Sequence, residues 1–173
     1  MTDSVTPILK VSGVSKAFGA VQALKDVGFE LYPGEVHALM GENGAGKSTV
    51  GKIIAGIYSA DEGKIEFEGK EVHVNSPADA LNLGIAIVMQ EFNSMAHLPV
   101  YENVFLGHKE IFKHGFILNK SEAIRRTSEY IEMFGMEKQI NPLSQLSDLT
   151  VAEQQIVEII KAVSYESKVI MSM

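Results

Sequence analysis

Gly41-Glu42-Asn43-Gly44-Ala45-Gly46-Lys47-Ser48-Thr49 decides how this chain is read. The stretch fits G-x-x-x-x-G-K-[ST], the phosphate-binding P-loop or Walker A pattern. Each residue type has a physical reason. Glycines let the backbone turn tightly, so that successive N–H groups point inward and form an anion-binding nest. The loop runs into a helix N-terminus, whose partial positive charge favours phosphate. Lys47 can reach the β- and γ-phosphates as a point charge. Ser48 can offer its hydroxyl to Mg²⁺, with Thr49 beside it at the helix start. The flanks agree. Val36 to Met40 is a short apolar run, expected as a buried strand. Lys47 to Ala55 carries Val50, Ile53 and Ile54 at helical spacing, and Gly56 can end that helix. Strand, glycine-rich loop and helix in this order predict nucleotide binding.

Upstream, Ile8 to Ser15 and Val27 to Leu31 alternate as strands do, and Tyr32-Pro33-Gly34-Glu35 is a turn by composition. Downstream, Lys64 to Val74 alternates around Gly69-Lys70, which predicts a hairpin. Ser76-Pro77-Ala78-Asp79 opens a helix, with serine as N-cap and proline at the first helical position, and Gly84 ends it. Ile85 to Met89 is a buried strand that runs into Gln90. Residues 91–118 are less regular, with a short helix expected around Val100 to Leu106. Ser121 to Phe134 places Ala123, Ile124, Thr127, Ile131 and Phe134 on one face of a helix. Thr150-Val151-Ala152-Glu153 is a capping box that opens a helix to Val163. Lys168 to Met171 begins a last apolar strand. Strands alternating with helices predict an α/β fold with a parallel core sheet, and the strand-rich start predicts an antiparallel side sheet.

Composition narrows the function. A chain of 173 residues is the size of one domain, and 46% hydrophobic with 21% charged residues is ordinary globular usage. Disorder and collagen-like structure are thereby excluded. No apolar run approaches the roughly 18 residues that span a bilayer. Met1 to Val5 has no basic region leading into an apolar stretch, so no signal peptide is expected. Without cysteine there is no disulfide or thiolate chemistry. A net charge of -7 argues against nucleic acid as a partner. The simplest picture is a soluble intracellular protein. His37, His73, His97, His108 and His114 lack metal-ligand spacing and read as structural or surface residues. No Ser-His-Asp arrangement or G-x-S-x-G elbow is present.

Four ordered motifs then carry a resemblance. Glu35 to Thr49 resembles the P-loop region of ATP-binding subunits of ABC transporters, most closely the ribose-type sugar importers of bacteria. Gly84-Ile85-Ala86-Ile87-Val88-Met89-Gln90-Glu91 looks like that family's Q-loop region, and Tyr101-Glu102-Asn103-Val104-Phe105-Leu106-Gly107 like the segment after it. Thr150 to Ile159 looks like its signature motif and helix. The resemblance runs from about Ile8 to Ile170. It implies an α/β P-loop ABC ATPase fold, with residues 5–173 part of one ATP-binding domain and a helical subdomain at about 100–163. It implies ATP and Mg²⁺ as cofactors. Phe18 falls where the family stacks an aromatic on adenine; alternatively it is simply an aromatic at a strand end. Gln90 falls on the glutamine that helps Ser48 hold Mg²⁺ and links the site to the membrane partner. Leu149, Thr150, Val151, Ala152 and Glu153 occupy the L-S-G-G-Q signature, with only the leucine retained. Thr150 keeps a hydroxyl, Val151 and Ala152 replace glycines, and Glu153 replaces a neutral glutamine. Glu153 reads equally as a signature residue or as the capping-box acid alone. These departures weaken the signature's contribution to an opposed ATP site.

The resemblance also implies partners. They are a second ATPase domain, membrane permease subunits docking near Val100 to Gly135, and a periplasmic or extracellular sugar-binding protein. The place implied is the cytoplasmic, inner face of the cell membrane. In this family the last strand runs into Walker B carboxylates, whereas Lys168 to Met173 ends without them, so no catalytic residue is assigned. The chain reads as an N-terminal fragment expected to hydrolyse ATP negligibly alone. The strand that would separate the P-loop strand from the Walker B strand lies beyond Met173. The isolated chain is therefore expected to be poorly soluble or partly folded, with a gap or a non-native pairing beside Val36 to Met40. One alternative is a non-hydrolysing nucleotide-binding or interaction fragment. Another is a P-loop small-molecule kinase, which would need a basic lid; the only arginines, Arg125 and Arg126, lie side by side on an amphipathic helix.

Overall fold

A computed structural model describes residues 6–88, 95–108, 112, 113 and 117–172. The chain folds as two units, Met1–Ile85 and Ala86–Met173. The class is α/β.

The first unit is built on a four-stranded antiparallel sheet, ordered β2-β1-β3-β4: β1 Leu9–Phe18, β2 Val21–Leu31, β3 Glu62–Phe67 and β4 Lys70–Val72. This is the expected side sheet. Alternation along β1 buries Leu9, Val11 and Val14, as a strand with one covered face requires. The β3–β4 hairpin turns through Glu68 and Gly69, both at positive φ (51° and 75°), the backbone that two-residue hairpin loops need. Helix α1, Lys47–Ile54, covers the sheet with buried Val50, Ile53 and Ile54. Helix α2, Pro77–Leu83, starts on the predicted cap: Ser76 Oγ accepts from the Asp79 N–H at 3.2 Å.

One expectation fails here. Val36 to Met40 is not a strand. Val36 is 99% and Met40 90% exposed. An apolar run becomes a buried strand only when neighbours supply ladder partners, and no strand among the described residues lies alongside it.

The second unit contains β5 (Ile85–Val88, at the division), α3 (Val100–Val104), β6 (Phe112–Lys113), β7 (Ile117–Leu118), α4 (Lys120–Met133), α5 (Val151–Ser164) and β8 (Val169–Ser172). β5 pairs with β8, and β6 with β7. The three helices share one core: Val100, Tyr101, Val104 and Phe105 of the α3 region, Ala123 and Ile131 of α4, and Val157 and Ile160 of α5, closed by Ile140, Leu146 and Leu149. Each large apolar side chain so buried contributes about 1.5–3 kcal/mol. Asn103 is wholly buried yet satisfied. Its Oδ1 accepts from the Met95 N–H at 2.8 Å, and its Nδ2 donates to the carbonyls of Met95, Leu98 and Pro99 at 3.1–3.2 Å. That amide fixes the loop entering α3. No helix among the described residues is long and apolar enough to cross a membrane.

Candidate nucleotide-binding site

The loop Gly41 to Ala45 is exposed, and α1 begins directly behind it. The N-cap is Gly46, left-handed at φ 86°, and no side chain caps the helix. A Cβ at Gly46 would stand 2.5 Å from Leu24 Cδ2 and 2.6 Å from the Ala23 carbonyl oxygen. Only glycine satisfies both the backbone angle and the close approach of β2. Thr49 and Val50 donate to the Gly46 carbonyl at 2.9 and 3.0 Å, which starts the helix. The amides of Gly44, Gly46, Lys47 and Ser48 donate to no acceptor among the described residues. The first turn carries no acidic residue. Lys47 folds back: its Nζ donates to the carbonyls of Gly41 and Glu42, each at 2.8 Å. Ser48 is exposed, and its hydroxyl bonds to no described residue. Open amides, an ammonium held only by neutral carbonyls and a free hydroxyl make a donor set that fits a polyphosphate. A neutral carbonyl holds an ammonium less strongly than phosphate oxygens do, so Lys47 can exchange one for the other.

The same end of the β1–β2 ladder carries the aromatic. Gly46 abuts Ala23 and Leu24, and Leu24 pairs with Lys16, two residues before Phe18. Phe18 is 43% exposed. Tyr58 meets it edge-on, ring centroids 5.1 Å apart and planes at 69°. Lys16 Nζ stands over the Phe18 ring at 5.6 Å and bonds Asp61 Oδ1 at 2.7 Å, while the Ala17 N–H donates to Asp61 Oδ2 at 2.7 Å. The Lys16 ammonium, and then the Ala17 amide, hold the Asp61 carboxyl below its usual pKa.

In the second unit, Leu149 to Glu153 form the start of α5. Leu149 is buried, Thr150 is the N-cap, and Val151 is 62% exposed on the first turn beside exposed Ala152. The capping box is complete. Glu153 Oε2 accepts from the Thr150 N–H at 2.7 Å and from its hydroxyl at 2.8 Å, and the Glu153 N–H donates to Thr150 Oγ1 at 3.4 Å. The Thr150 amide, then its hydroxyl, lower the Glu153 pKa. Gln154, which the sequence did not single out, donates to the carbonyls of Leu146 and Leu149. Gln90 lies outside the described residues. His108 is buried, stacked on Tyr165 and 3.0 Å from Ser164 Oγ. No cluster of metal-ligating side chains occurs among the described residues. Tyr58 and Lys52 escaped the sequence reading because neither belongs to a motif.

Fold and loop together define a P-loop nucleotide-binding protein. Residues 24–172 match the ABC transporter family, and the chain belongs to that family. It is 43% identical over 165 residues to ribose import ATP-binding protein RbsA 2 of Escherichia coli O157:H7, covering 95% of this chain and 32% of that protein. It is 45% identical over 165 residues to ribose import ATP-binding protein RbsA of Clostridium perfringens strain SM101, again covering 95% and 32%. The chain thus spans about a third of the length of these relatives. Among solved structures, it superposes on a nucleotide-free ATP-binding cassette from an ABC transporter with a TM-score of 0.83 at 26% identity, covering 96% of this chain and 68% of that one. The ADP conformation of an ATP-binding cassette of an ABC transporter gives 0.80 at 26%, covering 95% and 67%.

Proposed function

We propose that the chain is the nucleotide-binding part of an ABC-type sugar importer, in which ATP binding and hydrolysis drive carbohydrate uptake by the complete protein. The observation that carries this reading is the uncapped start of α1, with its open amides and Lys47 at the loop mouth. Gly41 to Thr49 would cradle the phosphates, and Phe18 would stack on the base. Ser48 and Gln90 would hold Mg²⁺, which neutralises phosphate charge when bound. Residues 5–173 would form part of one ATP-binding domain, with its helical subdomain at about 100–163. A second ATPase domain, permease subunits and a sugar-binding protein outside the membrane would complete the system at the inner face of the cell membrane. The names of the ribose import relatives support the sugar class. The engaged Glu153 carboxylate favours a second reading of the signature, in which Leu149 to Glu153 serve the helix start and contribute little to an opposed ATP site.

Calorimetric titration with Mg-ATP tests the central part. Lys47→Ala is expected to weaken binding by about 10- to 100-fold, the worth of a charge-assisted contact. Equal affinity of folded wild type and variant would overturn the reading.

A further inference from the structure

Tyr58 belongs to none of the four motifs, yet its place is tightly determined. It follows the end of α1, and the amides of Ile57 and Tyr58 both donate to the Lys52 carbonyl, at 2.8 and 3.2 Å. The Lys52 ammonium stands 5.6 Å from the centre of the Tyr58 ring. Tyr58 in turn meets Phe18 edge-on at 5.1 Å. An edge-to-face pair fixes the angle between two rings, because the positive edge of one seeks the negative face of the other. Lys16 also stands over the Phe18 ring and is tethered to Asp61. Phe18 sits at a strand end and is 43% exposed, so its backbone alone does not hold its ring plane. The helix that opens at the phosphate loop therefore reaches the aromatic through Lys52 and Tyr58.

We propose that Tyr58 is a positioning residue of a base subsite: held on the end of α1 and edge-on to Phe18, it sets the ring plane on which the base of a purine nucleotide stacks. The inference rests on the nucleotide reading of the P-loop. It makes α1 a rigid ruler between the phosphate and base ends of one ligand.

Mg-ATP and inorganic tripolyphosphate, which has the phosphates and no base, separate the two. Both are titrated calorimetrically into the 173-residue chain and its variants. Tyr58→Leu keeps apolar contact and removes the ring. It is expected to weaken ATP by about 3- to 10-fold, the scale of a lost aromatic pair, and to leave tripolyphosphate within about twofold. Tyr58→Phe retains the edge and is expected to bind both as wild type does. Phe18→Ala is expected to show the same split as Tyr58→Leu, and larger. Equal loss of both ligands in Tyr58→Leu would make Tyr58 merely structural and overturn the proposal, as would loss of neither. Should Tyr58→Leu fail to fold, Lys52→Ala, which frees the ring from α1, must show the same split in smaller measure. Its absence there overturns the proposal too. Lys47→Ala is the separate control, expected to weaken both ligands. If it weakens neither, the nucleotide reading itself falls.

Discussion

Two helices of this chain open on the motifs that matter, and they open in opposite ways. Every helix start carries about half a positive charge and four amides without intrahelical partners. At α5 the charge and two of the amides are met from within: Thr150 Oγ1 accepts from the Glu153 amide, and Glu153 brings a carboxylate back to the Thr150 amide and hydroxyl. At α1 no side chain meets them. The N-cap is glycine, the first turn holds no acid, and Lys47 adds a further positive charge. Glycine at an N-cap costs only a few tenths of a kcal/mol against serine or asparagine. Leaving α1 open is therefore cheap in stability, and it keeps a half-charge for an outside anion. The difference teaches that an anion site is marked as much by a missing cap as by a present lysine.

The largest expected effect comes from closing the open start by force. Gly46→Ala puts a Cβ 2.5 Å from Leu24 and 2.6 Å from the Ala23 carbonyl, at a φ of 86°. Strain and overlap together should cost about 2–5 kcal/mol in denaturant unfolding, with ATP binding lost alongside. A variant as stable as wild type would mean that α1 does not sit against β2 as described.

Next in size is the closed start. Thr150→Ala should cost about 1 kcal/mol in the same experiment and leave ATP affinity unchanged. A loss of ATP affinity would break the comparison, since it would give α5 a share in the site of this same chain.

The smallest effect concerns pH. The Glu153 pKa is lowered in the folded chain by the Thr150 amide and hydroxyl. A lowered folded pKa stabilises above the unfolded value, and that stability fades as pH falls through the folded one. Wild type should therefore exceed Glu153→Gln in stability near pH 7, and the gap should close in acid below about pH 4. A gap that widens in acid would show that the carboxylate is not the acceptor described.

What the sequence could show follows from how local each feature is. The P-loop, the α2 cap at Ser76 and the Thr150–Glu153 box involve residues a few positions apart, so their geometry is written in adjacent letters. The apolar faces of α4 and α5 repeat at helical spacing and were equally plain. Val36 to Met40 misled because an apolar run reports what a segment needs, and pairing depends on strands distant in sequence. β6 and β7 are two residues each, too short for any alternation to appear. The Phe18–Tyr58 contact joins residues from different elements, and nothing in either neighbourhood announces the other. Glu153 could be read two ways because a capping acid and an altered signature residue use the same letter; its bonds to Thr150 establish the first role.

The central claim is that α1 offers its amides to an anion and α5 does not. Amide-resolved NMR during titration of the chain with inorganic tripolyphosphate tests it most directly. Saturable shifts are expected at the amides of Gly44, Gly46, Lys47 and Ser48, abolished in Lys47→Ala, with Val151, Ala152 and Glu153 unmoved. Shifts of equal size at the start of α5, or none at the P-loop, would contradict it.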